Sequence, residues 1–272
     1  MEKWNYILRE EIGEKDKEGR HVFLADRILS EALREYGERG GEERKAGEKA
    51  YVTRMQRVVI KSTDCSSAYL RHTLTELNCL QELQHPGIPK VLEHYRAGKN
   101  YHLVLPYIEG DSLKKRLEEN WIFDFLQIYS LLRQLGEILQ YLHQQEPPVL
   151  YRDLKPEHIL IDQIGQVCLL DFDGVILLGK AGDGIGNSRF SAPEQFDLRR
   201  KTDQRSDIYA FGKIAELLFR QVPEERRTEN EQKKWSRFIK HCTRERPEKR
   251  YKDMEAVLRE LQKLNHTAEK YG

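Results

Sequence analysis

The chain changes character at residues 107–111. Upstream, short apolar runs of strand length predominate, at residues 6–12, 20–26, 57–62, 89–95 and 101–107. Downstream, apolar residues recur every three or four positions, the spacing of one helix face, at Phe125, Ile128, Leu132, Leu135, Leu139 and Leu142. The sequence therefore predicts an α+β fold, with a β-rich region over 1–107 and a helical region over 108–272.

The β-rich region holds one helix and one interruption. Apolar residues at helical spacing predict the helix, at Leu70, Leu74, Leu77, Leu80 and Leu83. The sequence His85–Pro86–Gly87 ends it. Residues 27–56 contain several glycines among dense mixed charges, so we expect a charged insertion between two strands. The first part of this insertion, residues 27–36, is expected to form a helical turn or two.

The charge balance argues against one class of protein. The 272 residues carry 46 Lys and Arg against 45 Asp and Glu, a formal net charge of +1. A nucleic-acid-binding protein shows a basic excess, so we expect no nucleic-acid partner. No apolar run approaches the roughly 18 residues of a membrane helix, and the N-terminal residues lack the apolar stretch of a signal peptide. We therefore expect a cytoplasmic protein without a membrane segment.

Two motifs carry the chemistry. Residues 151–160 read Tyr-Arg-Asp-Leu-Lys-Pro-Glu-His-Ile-Leu, and residues 170–174 read Leu-Asp-Phe-Asp-Gly. They resemble the catalytic loop and the Asp-Phe-Gly segment of protein kinases. The resemblance continues in family order through Val-Val-Ile-Lys at 58–61, Ala-Pro-Glu at 192–194 and Ser-Asp-Ile-Tyr-Ala-Phe-Gly at 206–212. It implies the bilobal kinase fold and is greatest to the compact bacterial serine/threonine kinases of eukaryotic type.

Phosphoryl transfer needs positioning and charge neutralisation more than covalent chemistry. By resemblance, Asp153 would act as the catalytic base toward a protein hydroxyl. Lys155 would neutralise the transferred phosphoryl group and favours a serine/threonine rather than a tyrosine kinase. Lys61 would contact the α and β phosphates of ATP, held in place by Glu76 from the leucine-rich helix.

The resemblance also implies a set of ATP contacts: Gly13, Val22, Val59, Leu105, Pro106, Ile108 and Leu160. Val22, Val59 and Leu160 would sandwich the adenine, and Leu105 would close the back of its pocket. Pro106 stands where the family offers only a carbonyl, and proline keeps that acceptor. Ile108 would offer both its backbone N–H and its C=O. Gly13 is the glycine retained in an otherwise poor glycine-rich loop.

The metal ligands include one departure from the family. Asp171 would bind Mg²⁺, a hard cation that prefers oxygen ligands. His158 replaces the asparagine that would hold a second Mg²⁺. Imidazole nitrogen suits Mn²⁺ better than Mg²⁺, so the sequence predicts an activity that prefers Mn²⁺.

Three departures keep an alternative open. His158 replaces asparagine, Asp173 replaces the last residue of Asp-Phe-Gly, and Lys15 stands where the second glycine of the nucleotide loop belongs. These changes also suit a pseudokinase, a nucleotide-binding or scaffold protein. A small-molecule phosphotransferase of kinase-like fold is a third reading, disfavoured by the Ala-Pro-Glu segment at 192–194.

The resemblance also implies residues that brace the helical region. Glu194 and Arg250 match a buried ion pair, and Asp207 matches the helix residue that anchors the backbone of the catalytic loop. Between Gly174 and Gly186 the chain has no serine, threonine or tyrosine. Control by phosphorylation in that segment is therefore not expected, and Arg152 is expected to be satisfied by local partners.

Overall fold

A computed structural model describes residues 6–12, 19–32, 51–177, 189–197 and 202–268 of the chain. The chain forms two compact units. The first comprises residues 1–73 and 90–107, and the second comprises residues 74–89 and 108–272. The order of a β-sheet followed by helices confirms the predicted α+β class.

The described residues contain ten strands and six α-helices. The strands are β1 (Tyr6–Glu11), β2 (Arg20–Ala32), β3 (Tyr51–Asp64), β4 (Glu93–Ala97), β5 (Asn100–Pro106), β6 (Gly110–Ser112), β7 (Val149–Leu150), β8 (Ile159–Asp162), β9 (Val167–Leu169) and β10 (Ile176–Leu177). The helices are α1 (Leu70–Glu82), α2 (Leu113–Glu118), α3 (Phe125–His143), α4 (Arg205–Gln221), α5 (Glu229–Cys242) and α6 (Met254–Ala268). None of these helices is both long enough and apolar enough to cross a membrane.

The first unit is built on one antiparallel sheet with strand order β1-β2-β3-β5-β4. Alternation along β2, β3 and β5 sends Ala25, Val58, Ile60 and Val104 to one face, where they form a small buried core. The strands β2 and β3 pair continuously from Arg20↔Thr63 to Ala32↔Tyr51.

The expected helical turn at 27–36 is wrong over its described part. Residues 27–32 continue strand β2, each of them paired with a residue of β3. Leucine, alanine and glutamate favour a helix locally, but the ladder of cross-strand hydrogen bonds outweighs that preference. Residues 51–56, the last part of the expected insertion, belong to strand β3, and residues 33–50 lie outside the described residues.

The second unit owes its core to the amphipathic helices. The buried face of α3 includes Leu132, Leu135 and Leu139, as its leucine spacing predicts. A capping box between Asp124 and Gln127 fixes the start of α3. The short sheets β6-β8-β9 and β10-β7 carry the segments on either side of the catalytic motifs.

The stretch 74–89 groups with the second unit, although the sequence analysis assigned it to the first region. Two long-range hydrogen bonds explain the grouping. The backbone N–H of Gln84 donates to the hydroxyl of Tyr141 at 2.7 Å, and that of Leu169 donates to the carbonyl of Gly87 at 2.8 Å. The C-terminal part of α1, which carries Glu76, is thereby tied to the helical unit.

Candidate active site

In the first unit, four candidate nucleotide residues share one face of the sheet. Lys61 lies opposite Val22 on β2, and Val59 lies opposite Leu105 on β5. Paired residues, and residues two apart on one strand, point to the same face, so all four side chains lie on the face opposite the Ala25 core. The side chain of Lys61 is buried there at 8% exposure.

The backbone that follows β5 differs in its hydrogen bonding from residue to residue. The N–H of Tyr107 donates to the carbonyl of Arg57 at 3.2 Å, which extends the sheet by one bond. Among the described residues, the backbone N–H and C=O of Ile108 have no partner. Pro106, paired with Val58, directs its ring to the core face of the sheet. Gly13 lies outside the described residues.

In the second unit, Asp207 holds the start of the catalytic loop. Its carboxylate is fully buried and accepts the backbone N–H of Tyr151 at 2.9 Å and that of Arg152 at 2.7 Å. The ring Nε2 of His143 donates to the same carboxylate at 2.8 Å. The anchoring role predicted for Asp207 is confirmed. No motif in the sequence pointed to His143, whose contact with Asp207 lies at the end of α3.

Within this loop, the side chains of Asp153 and Lys155 contact each other. The ammonium of Lys155 donates to Asp153 Oδ2 at 2.7 Å, and the two side chains are 23% and 13% exposed. Partial burial strengthens such a contact relative to a fully solvated one. The arrangement brings a carboxylate acceptor and a cation together on one loop.

Asp171 stands in an unusual backbone conformation. Its φ of 61° lies in the left-handed region, as does the φ of 68° at Arg152, and each costs on the order of 1–3 kcal/mol for a residue with a side chain. Asp173 is not in this region, so its position needs no glycine. At Gly174 a Cβ would lie 3.3 Å from the Cβ of Asp153, a tight contact that a small shift of the neighbour would have to relieve.

Glu76 contacts the Asp-Phe segment. Its Oε1 accepts the backbone N–H of Phe172 at 3.2 Å, and its side chain is 1% exposed. The carboxylate thus helps hold the residue that follows Asp171. The pairing of Glu76 with Lys61 stays a prediction.

His158 lies within reach of both aspartates. Its Nδ1 is 3.0 Å from the backbone carbonyl of Asp153, and its Nε2 is 3.5 Å from Oδ2 of Asp171. Burial is the main cause that lowers the pKa of His158, and the charge of Lys155 lowers it further, while Asp171 opposes the shift. The imidazole is therefore held in its neutral form near neutral pH.

The side chain of Tyr151 makes contacts that were not predicted from the sequence. Its buried ring packs edge-on against Phe172 with centroids 5.3 Å apart, and its hydroxyl donates to the carbonyl of Leu170. The same hydroxyl lies 3.3 Å from Nδ1 of His158. Burial raises the pKa of Tyr151 well above its usual value, so the phenol keeps its proton. The only available signal was a phenol in place of the usual imidazole.

The donor atoms suit a divalent cation held partly by the protein. The carboxylate of Asp171 offers oxygen, and Nε2 of His158 offers nitrogen. The described residues contain no group of three or more such ligands, so the remaining positions would fall to phosphate oxygens and water.

Leu160, a candidate adenine contact, is half-buried on β8 opposite Cys168.

A buried ion pair braces the second unit, as predicted. Arg250 contacts Glu194 through two nitrogens, at 2.6 Å and 2.8 Å, and the side chains are 0% and 1% exposed. Gln195 also joins this region to the catalytic loop, because its amide donates to the carbonyl of Arg152 at 3.0 Å. Arg152 itself is 1% exposed.

Comparison with known proteins points to one family. Residues 43–268 match the protein kinase domain, so Gly13 and Val22 lie outside the matched range. Human "Ribosomal protein S6 kinase alpha-6" is 32% identical over 164 residues, covering 58% of this chain and 22% of that protein. "Serine/threonine-protein kinase PrkC" of Bacillus subtilis is 27% identical over 161 residues, 57% of this chain and 24% of that protein.

A third relative is matched over more of its length. "Putative mitogen-activated protein kinase kinase kinase 7-like" of Drosophila melanogaster is 28% identical over 210 residues, 75% of this chain and 52% of that protein. The matches thus span about a fifth to a half of these curated relatives. Because the domain match covers most of the chain and the units have the expected architecture, the chain belongs to the protein kinase family and has the kinase fold.

Proposed function

We propose that the protein is a serine/threonine protein kinase that transfers the γ-phosphoryl group of ATP to a protein hydroxyl. The observation that carries this proposal is the Asp153–Lys155 contact at 2.7 Å, which combines a proton acceptor with a cation on one anchored loop. The name of one reported relative, "Serine/threonine-protein kinase PrkC", supports it. ATP as substrate is consistent with a cytoplasmic location.

In this proposal, each residue has one role. Asp153 accepts the proton of the substrate hydroxyl while the oxygen of that hydroxyl bonds to the γ-phosphorus of ATP. The bond between the γ-phosphorus and the bridging oxygen of the β-phosphate breaks, and ADP is released. Lys155 neutralises charge on the transferring group. Lys61 binds the α and β phosphates, and the sheet face that carries Val22, Val59 and Leu105 binds the adenine. The unpartnered backbone groups of Ile108 bond to its polar edge.

Asp171 and His158 would hold the divalent cation. A cation there supplies neutralisation of phosphate charge. Because one ligand is an imidazole nitrogen, Mn²⁺ should bind this pair better than Mg²⁺. Glu76 keeps Asp171 in position through the N–H of Phe172.

The test is transfer from labelled ATP to a generic protein acceptor, with either Mg²⁺ or Mn²⁺. The intact chain should phosphorylate serine or threonine, and Asp153→Asn should lower turnover by at least about a hundredfold. Equal, weak transfer by both proteins would favour the pseudokinase alternative. Glu157→Gln, on the exposed side of the same loop, is the matched control and should keep full activity.

The metal preference has its own variant. His158→Asn replaces nitrogen with an amide oxygen and should raise turnover with Mg²⁺ relative to turnover with Mn²⁺. An unchanged ratio of the two rates would show that His158 does not contact the cation.

A further inference from the structure

The backbone makes a strained turn immediately before Asp153. The N–H of Asp153 donates to the carbonyl of Tyr151 at 2.9 Å, which closes a three-residue turn around Arg152. The φ of 68° at Arg152 makes this the rare form of such a turn, the one with a left-handed central residue. A residue with a side chain keeps that conformation only where its surroundings hold it. The contacts that hold Arg152 therefore also fix the direction in which the chain enters Asp153.

Hydrogen bonds hold the peptide groups on both sides of Arg152. Asp207 accepts the N–H of Arg152 at 2.7 Å, which fixes the first of these groups. The second group joins Arg152 to Asp153, and its carbonyl accepts a hydrogen bond from Nε2 of Gln195 at 3.0 Å. The N–H of this second group is the one bonded to Tyr151, so both of its polar atoms are engaged. Rotation of the second group, which would release the turn, breaks the bond to Gln195.

Gln195 is itself held in place. Its side chain is buried, and its Oε1 accepts the backbone N–H of Ala192 at 3.1 Å. Because one partner of the amide is an N–H and the other is a C=O, only one orientation of the amide satisfies both. The backbone N–H of Gln195 also donates to the carbonyl of Ala192, at 3.0 Å. The adjacent Glu194 is bound by Arg250, so the amide of Gln195 reaches the catalytic loop from a fixed support.

We propose that Gln195 is a positioning residue for Asp153: its amide, bonded to the carbonyl of Arg152, holds the turn that directs the carboxylate of Asp153. This role rests on the proposed function, in which Asp153 is the catalytic base. It adds a second support to the anchor at Asp207. A displacement of about 1 Å in a reacting group can cost about a hundredfold in rate, so the bond should act on turnover.

Hydrogen exchange of single amides, measured by NMR on the intact chain, monitors the turn without phosphoryl transfer. Gln195→Met removes both bonds of the amide and keeps a side chain of similar length. The N–H of Asp153 should then exchange at least about tenfold faster, because the turn opens more often. In the unaltered chain, the side-chain amide protons of Gln195 should exchange slowly. Rapid exchange of those protons would overturn the proposal even if no variant of Gln195 folds.

Gln134→Met is the matched control. Gln134 makes the same two kinds of bond in the second unit: its Oε1 accepts the N–H of Val167, and its Nε2 donates to the carbonyl of Gly165, both at 3.0 Å. Its replacement should leave exchange at Asp153 within about twofold, because the two sites share no partner. A purely structural role of Gln195 would make both variants raise exchange at Asp153 equally, and that result would overturn the proposal.

Kinetic measurements test the consequence for the reaction. Gln195→Met should lower kcat at least about tenfold while the KM for ATP stays within about twofold, because the variant disturbs Asp153 and not the nucleotide residues. Faster exchange at Asp153 with an unchanged kcat would overturn the positioning role. If the unaltered chain transfers no phosphate, the proposed function fails, and the exchange measurements alone decide whether Gln195 fixes Asp153.

Discussion

Replacing Arg250 by methionine should destabilise the second unit severely. The guanidinium of Arg250 makes two bonds to Glu194 and donates to three backbone carbonyls, those of Arg205, Arg244 and Glu245. In Arg250→Met, Glu194 keeps only the hydroxyl of Ser206, at 2.9 Å. The variant would therefore hold a buried carboxylate without a countercharge, and three backbone carbonyls would lose their donor.

The expected magnitude follows from that burial. Removing one partner of a buried ion pair costs about 3–5 kcal/mol, because the remaining charge keeps its desolvation penalty. Both side chains of this pair are essentially inaccessible to water, so we expect a loss of about 4 kcal/mol in the free energy of unfolding. Such a loss is a large fraction of the stability of a typical domain.

The assay is guanidinium denaturation followed by far-UV circular dichroism, which reports mainly the helices of the second unit. The matched control is Arg220→Met, since Arg220 pairs with Glu216 but is 70% exposed. An exposed pair contributes at most about 1 kcal/mol. If Arg250→Met lost no more stability than Arg220→Met, the argument from burial would be refuted.

Three further predictions concern other parts of the chain. Gly212→Ala should cost about 1–3 kcal/mol in denaturation experiments, because its Cβ would overlap that of Cys242 on the neighbouring helix; no loss would contradict this contact. Burial raises the pKa of the Cys168 thiol to about 12, so its contribution to stability is complete below about pH 8.5 and is lost as the pH rises toward 12. Cys168→Ala should therefore make the fall of the unfolding free energy with pH shallower over this range, by up to about 1.4 kcal/mol per pH unit. An unchanged slope would contradict the raised pKa. Because Arg152 is buried, phosphatase treatment should leave transfer activity within about twofold, and a larger loss would show control by phosphorylation.

The sequence predicted the parts of the fold that depend on local pattern. The leucine spacing located α1 and α3, and alternation located the central strands. Asp153 and Asp171 could be identified because each lies within a short contiguous motif. The prediction of a helical turn at 27–32 was wrong because hydrogen bonds to strand β3, which is distant in sequence, decide the conformation of these residues.

The finer chemistry of the candidate site was not accessible from the sequence. The ring of His158 contacts the carbonyl of Asp153, five residues away, and the hydroxyl of Tyr151, and packing sets both contacts. Likewise, the bond from Phe172 to Glu76 joins residues 96 positions apart. Residue identity suggested which groups are present, but only three-dimensional placement determines which of them come into contact.

The long pairing of β2 with β3 has a consequence for how this chain tolerates change. Beyond Arg27, neither β1 nor β5 accompanies the two strands, so residues 28–32 and 51–55 form a two-stranded ribbon among the described strands. Ala32 pairs directly with Tyr51, so the chain leaves and re-enters the ribbon at one point. Replacing residues 33–50 with an Asn-Gly turn would therefore close an ordinary hairpin with its register intact. Residues can therefore be added or removed there while Lys61, on the same strand, keeps its place opposite Val22.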